Sequence, residues 1–289
     1  MQDTGFNITD RRMRIPFFDC PHPVSCIHIR IRMLPKPLSL HSMPEYAHDT
    51  VVPYKDSDLR KKQQVAGMFN DIAYRYDFLN RFLSAGIDVS WRKKAIRQLA
   101  ALQPKSLLDV ATGTADMAIM ASGMLKPVKI TGIDISDGML EIGRDKVKKL
   151  NLQDRITLLN GDSETINFEN DSFEAVTVAF GVRNFENLEK GLAEIRRVLK
   201  PGGKLVVLEF SKPKTPVVKG MYNLYMRYIC PGVGKLFSKN RSAYQYLDES
   251  IKQFPEGKNF TGILDKLGYR NTYSKPLSLG ICSIYCGVK

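Results

Sequence analysis

Histidine is scarce and confined to one end of the chain. The four histidines, His22, His28, His41 and His48, all precede residue 49 of 289. A histidine general base or a histidine-held metal is thereby excluded from everything downstream. Tryptophan occurs once, at Trp91. No apolar run approaches the roughly 18 residues of a membrane-spanning helix. A secretory leader is not expected. Arg11, Arg12 and Arg14 are followed by a short apolar stretch broken by Pro16, Pro21 and Pro23. The five cysteines are an odd number and widely scattered, so they read as reduced thiols rather than a disulfide framework. Acid is in deficit: 30 acidic residues stand against 43 basic ones, a net charge of +13. That excludes an acidic solvating protein. It permits a nucleic acid, an anionic membrane surface or an anionic substrate without choosing among them.

What is present is ordinary globular composition, 43% hydrophobic and 25% charged, which argues against overall disorder. Residues 1–42 differ from the rest, with prolines, scattered arginines and no sustained period. Cys20, His22, Cys26 and His28 lie close together, but their spacing matches no common zinc pattern. We read 1–42 as a disordered or non-native extension upstream of a start at Met43. An organellar targeting peptide is the rival, disfavoured by Asp3, Asp10 and Asp19.

From residue 43 the sequence reads as one domain. Over 60–104, Val65, Met68, Phe69, Ile72, Tyr76, Leu79 and Leu83 recur at three and four, predicting an amphipathic helix that packs on a core or lids a site. Trp91 and a basic run through Lys94 lead into a second helix that ends near Pro104. Over 105–211, strands SLLDVATG (106–113), KITGIDIS (129–136), ITLLNGD (156–162), FEAVTVAF (173–180) and KLVVLEFS (204–211) alternate with helices at 115–125, 137–150 and 187–199. PGG (201–203) reads as a turn into the fifth strand. Continuous apolar strands separated by helices predict a mostly parallel sheet covered on both faces. Residues 212–265 read as an insertion that caps a site. Within 266–289, GYRNTYSKPL (268–277) and ICSIYCGVK (281–289) read as a closing antiparallel pair. Cys282 and Cys286 then share one strand face, where packing explains them.

In an open α/β sheet, ligands bind at the carboxyl ends of the strands. The first strand ends in LLDVATGTAD (107–116), where Ala111, Gly113 and Ala115 let the backbone approach a ligand. One glycine is too few for a G-x-G-x-x-G dinucleotide loop, and no Walker lysine loop exists. The second strand ends at Asp134, whose carboxylate can accept from both hydroxyls of a ribose. Capping of the next helix falls better to Ser136 or Asp137. The third ends in Gly161, Asp162 and Ser163, where an acid can accept from an exocyclic amino group. A nucleoside-shaped set without a phosphate grip suggests S-adenosylmethionine.

Two stretches carry a family resemblance. YDFLNRFLSAGIDVSW (76–91) looks like the signature Y-D-x-M-N-x2-[LIVM]-S-x3-H-x2-W, departing at Leu79 and Asp88. RVLKPGGKLVVLEFS (197–211) fits a second signature throughout, and FGVRN (180–184) is similar as well. The chain resembles the quinone-ring C-methyltransferases of menaquinone and ubiquinone biosynthesis, over about residues 45–289. The resemblance implies a Rossmann-like class I methyltransferase with a seven-stranded sheet. It implies S-adenosylmethionine as cofactor, with Thr114 near the methionine end, Asp134 on the ribose, Asp162 and Ser163 around the adenine, and Gly113 in the turn. Ala115 replaces a glycine frequent in relatives, which costs little if only closeness matters. Ala179 replaces a serine of some relatives, so no cofactor hydrogen bond is assigned there. The implied reaction converts demethylmenaquinol to menaquinol, with the benzoquinol of ubiquinone biosynthesis as the alternative.

The acceptor in that chemistry is a ring carbon activated by loss of a phenolic proton, so a group that stabilises the oxyanion is expected. Arg183 is the candidate, as a charge and not a base. A structural brace of its loop is an equal reading. Asn184 is expected to orient the same oxygen. Asp116 is a candidate for the cofactor amine, or simply a first-turn acid. Met221, Tyr222, Tyr225, Met226 and Tyr228 suit a flat quinone but read more readily as core, and are left out of the site. The expected partners are a prenylated quinol and a membrane surface met peripherally from the cytoplasm, with a homodimer allowed and no nucleic acid. Enzymes that methylate exocyclic base nitrogens carry N/D-P-P-Y/F after the fourth strand, where AFGV (179–182) stands here. A non-catalytic nucleoside-binding scaffold is the remaining rival.

Overall fold

In the computed structural model the described residues are 46–125, 128–213, 215, 216, 220 and 241–289. The Cys20–His28 cluster, Cys230 and the Tyr/Met run at 221–228 lie outside them. Two helices lead, α1 (Lys61–Leu83) and α2 (Ile87–Ile96). The alternating core follows: β1 (Ser106–Val110), α3 (Asp116–Met124), β2 (Lys129–Asp134), α4 (Asp137–Lys149), β3 (Ile156–Asn160), β4 (Phe173–Ala179), α5 (Leu188–Val198) and β5 (Leu199–Phe210). Next come α6 (Arg241–Gln253) and α7 (Lys258–Lys266), then β6 (Arg270–Leu277) and β7 (Cys282–Val288).

The strands form one seven-stranded sheet in the order β3-β2-β1-β4-β5-β7-β6. Pairings from β3 to β5 are parallel, and β7 runs antiparallel to both neighbours. The order therefore reverses beside β1, which puts a crevice at the carboxyl ends of β1 and β4. Successive strand residues serve opposite faces. Leu107, Ala175 and Val206 pack with Ala95 of α2 and Ala118 of α3. Their neighbours Leu108, Val176 and Val207 pack with Leu192 of α5 and Phe260 of α7. Cys282 and Cys286 are buried together on the first face, as packing residues. Burial also pushes both thiols above the ordinary cysteine value.

Three sequence expectations need correction. The strands stop one to three residues sooner at their site ends, because the turn residues leave the ladder. Pro201–Gly203 is part of β5 and not a turn before it. The ladder pairs Phe173 with Leu199 and Ala175 with Lys204, so the extra residues form a bulge, and Gly202 supplies the positive φ (77°) it requires. Helix α2 starts four residues before Trp91, with Asp88 buried in its first turn. Asp88, where the signature has histidine, pairs with Arg81 and Arg92 and accepts from the Ser84 hydroxyl.

Candidate active site

The turn after β1 is tighter than a small-residue stretch alone requires. Ala111, Gly113 and Ala115 have φ of 53°, 56° and 66°. Left-handed backbone costs a residue with a Cβ about 1–2 kcal/mol, so Ala115 is not the cheap replacement its size suggests. Opposite, Phe180 after β4 has φ 59°, an outlier for a bulky side chain. Gly181 follows. A Cβ on it would stand 2.5 Å from the Ala111 Cβ, so the Gly181 backbone sits directly against the Ala111 methyl. Gly181→Ala should part them, lowering stability by about 1–3 kcal/mol and weakening cofactor affinity by roughly tenfold, about 1.4 kcal/mol. Urea unfolding and titration calorimetry would check it; an unchanged affinity would show that the contact does not shape the site.

These turns flank a cleft. Its floor holds Gly113, Asp134, Gly161, Asp162 and Ser163, from the ends of β1, β2 and β3. Asn184 and Phe185 close it on the β4 side, and Val65, Phe69 and Tyr76 of α1 form the lid. Asp134 Oδ2 accepts from the Gly113 N–H at 2.8 Å and Oδ1 from the Ser136 N–H at 2.9 Å. Burial pushes this carboxyl above the ordinary aspartate value, against the backbone N–H groups that hold it down. A carboxylate offers about four acceptor positions, so capacity remains beyond these contacts. Helix capping falls to Ser136, whose hydroxyl accepts from the Met139 N–H. Below the turn, Asp109 takes hydroxyls from Thr112 and Thr177 at 2.6 Å each, and burial lifts its pKa to about 6.

Sequence reasoning missed the partners that converge from far along the chain. Lys62 of α1 bonds Asp162 at 2.9 Å and stands 3.6 Å from Glu186. That hydrogen bond raises the lysine pKa. Asp77, inside the first signature, accepts from the Thr114 hydroxyl and from Lys146 of α4 at 2.7 Å. Lys146 also bonds Asp116 at 2.6 Å, and Arg81 reaches Asp116 at 3.2 Å. The Thr114 hydroxyl thereby fastens α1 and α4 to the turn. Asp116 is a first-turn acid held by two cations, chiefly Lys146, which outweigh its burial and lower its pKa.

Arg183 is buried and does not line the cleft. Its Nη1 donates to Glu209 Oε1 at 2.7 Å and to the Phe180 carbonyl at 2.6 Å. Glu209 is wholly buried. The guanidinium lies 5.4 Å from the centre of the Phe210 ring, which packs on Phe180 at 4.7 Å. Arg92 covers Phe180 at 5.2 Å, and Trp91 abuts both rings. The bracing role is therefore the one the contacts display: Arg183 holds the strained Phe180 turn. Asn184 does reach the cleft. Its Oδ1 accepts from the Tyr246 hydroxyl of α6 at 3.0 Å. Burial drives the Tyr246 phenol well above its ordinary pKa, so it stays a donor.

Comparison with known proteins is decisive. Residues 57–289 match the model of the ubiE/COQ5 methyltransferase family. The chain belongs to that family. This methyltransferase is 45% identical over 244 residues to the demethylmenaquinone methyltransferase of Bacteroides fragilis, covering 84% of the chain and 99% of the relative. It is 43% identical over 230 residues to the ubiquinone/menaquinone biosynthesis C-methyltransferase UbiE of Geobacter sulfurreducens, covering 79% and 90%. Among solved structures, a SAM-dependent methyltransferase from Thermotoga maritima, a possible histamine N-methyltransferase, superposes with a TM-score of 0.55 at 17% identity, over 77% of the chain and 98% of that structure. That likeness speaks for the fold.

Proposed function

We propose that this methyltransferase uses S-adenosylmethionine to methylate a ring carbon of a prenylated quinol, converting demethylmenaquinol to menaquinol in menaquinone biosynthesis. One observation carries the reading: two carboxylates, Asp134 and Asp162, stand at adjacent strand ends in one cleft, in a chain of this family. The cleft suits the cofactor. Acid acceptors line its floor, and the side chains of Val65, Phe69 and Met139 supply apolar walls.

When bound, the cofactor supplies a methyl group already activated on a sulfonium. Asp134 accepts from the ribose hydroxyls through its remaining lone pairs. Asp162 and Ser163 frame the adenine, with Lys62 fixing the Asp162 carboxylate. Gly113 keeps the β1 turn close enough for contact. Phe69, Tyr76 and Phe185 give a flat acceptor aromatic surfaces to stack on. Asn184 orients the quinol oxygen through its amide N–H, since its carbonyl is taken by Tyr246. Arg183 acts through this loop: paired with Glu209 and bonded to the Phe180 carbonyl, it holds the turn from which Asn184 reaches the acceptor. Orientation and exclusion of water can supply about 7–11 kcal/mol of the barrier.

A prenylated acceptor resides in a bilayer, so we place the protein at the cytoplasmic membrane face as a peripheral partner. No helix among the described residues is long and apolar enough to cross a membrane. The net charge of +13 favours anionic lipid. A benzoquinol of ubiquinone biosynthesis is the second reading, supported by the Geobacter relative, whose name carries both pathways.

The test is incubation with methyl-labelled S-adenosylmethionine and either reduced demethylmenaquinone or its benzoquinol counterpart, followed by mass analysis. Label on the naphthoquinol ring carbon is expected. Label only on the benzoquinol would move the reading to the second pathway, and label on neither would defeat both.

A further inference from the structure

Helix α1 has two faces of different use. Val65, Phe69 and Tyr76 look into the cleft. Tyr74, Phe78 and Phe82 recur every four residues and are 93%, 51% and 51% exposed. At 3.6 residues per turn this second row lies about 160° around the helix from the first. Phe78 and Phe82 stack on one another at 6.0 Å, and each keeps about half of its surface exposed. Ile87, 46% exposed, continues the apolar row at the start of α2. A surface helix ordinarily turns polar residues outward, so exposed aromatics at a fixed spacing mark a contact surface.

The charge beside the row says what kind. Ile87, Ser90, Lys94 and Arg97 fall on one face of α2 and its following turn, and Lys93 is exposed next to them. Arg75 is exposed beside Tyr74; Asp71 is the acid on that side of α1. Aromatic rings on one helix, with cations on the next, are the composition of a surface that enters an anionic lipid headgroup layer. The row is also one helix from the cleft, a thickness of about 10–12 Å. A lipid-borne acceptor would have that wall to round.

We infer that Tyr74, Phe78, Phe82 and Ile87, with the basic face of α2, form the surface that docks this protein on an anionic bilayer. The inference rests on the proposed quinol substrate for its purpose, and on exposure and charge for its location.

The test uses the full chain in co-sedimentation with phosphatidylcholine vesicles, and with vesicles in which a third of the lipid is phosphatidylglycerol. The parent should bind the anionic vesicles at low salt, and more weakly as salt rises. F78S/F82S should bind at least tenfold more weakly, and K93E/K94E should lose most of the salt-dependent part. Both variants should keep parental cofactor affinity, which certifies their fold. Absence of parental binding, or parental binding by F78S/F82S, would overturn the inference. So would a shift of F78S/F82S from dimer to monomer in sedimentation velocity with vesicle binding unchanged, which would assign the row to a second copy of the chain. A parent that methylates no quinol, while F78S/F82S still loses vesicle binding, would remove the substrate reading and leave the surface standing.

Discussion

Glu209→Ala should destabilise the protein by about 3–5 kcal/mol, the usual result of leaving half of a buried ion pair behind. Glu209 has no exposed surface and accepts from the Arg183 guanidinium at 2.7 Å. It also accepts from the Arg183 and Phe210 backbone N–H groups at 3.3 and 2.9 Å. Without it, a full positive charge remains in a site walled by Phe180, Phe210 and Trp91, and two N–H donors lose their partner. Urea unfolding should show a lower midpoint at unchanged slope. Glu209→Gln keeps an acceptor of the same shape and should cost less. In Glu209→Ala/Arg183→Met the stranded charge is gone, so the double variant should recover part of the loss. A double variant no better than the sum of the singles would show that the pair acts through packing and not through charge.

Asp134→Ala should weaken S-adenosylmethionine binding at least tenfold, about 1.4 kcal/mol. The loss has two sources. One is the acceptor for two hydroxyls, where hydrogen bonds to a charged group are worth about 1.5–3 kcal/mol each. The other is the carboxylate bridge between the Gly113 and Ser136 N–H groups, which holds the left-handed β1 turn against the head of α4. Asp134→Asn separates them. Its carbonyl can serve one N–H, while its amide faces the other donor to donor, so affinity should fall by a similar factor with less loss of stability. Titration calorimetry measures the first quantity and thermal unfolding the second. Parental affinity in the alanine variant would take Asp134 out of the site.

What the sequence discloses here follows range along the chain. The ends of β1, β2 and β3 were readable because buried strands are continuous apolar runs, and the next polar residue must lie at the sheet edge; that is how Asp134 and Asp162 stand out. The N-cap role of Ser136 was readable for the same local reason. Cys282 and Cys286 were legible as packing residues from strand period alone. Partners from distant elements were not. Nothing near Asp162 points to Lys62, a hundred residues earlier, and nothing near Asn184 points to Tyr246. Nothing near Thr114 points to Asp77, which accepts from its hydroxyl and which only the fold brings beside it. The conformational cost at Ala115 and Phe180 was hidden too, since composition reports size and not φ.

The antiparallel course of β7 also settles where the chain leaves the sheet. Lys289 exchanges backbone hydrogen bonds with Gly202 and Gly203 at the amino end of β5, and its ammonium bonds Asp171 at 2.7 Å. The cleft opens at the opposite, carboxyl edge of the parallel strands. Anything fused after Lys289, such as a purification handle or a tether to a support, therefore departs from the back of the molecule and leaves the substrate entrance clear.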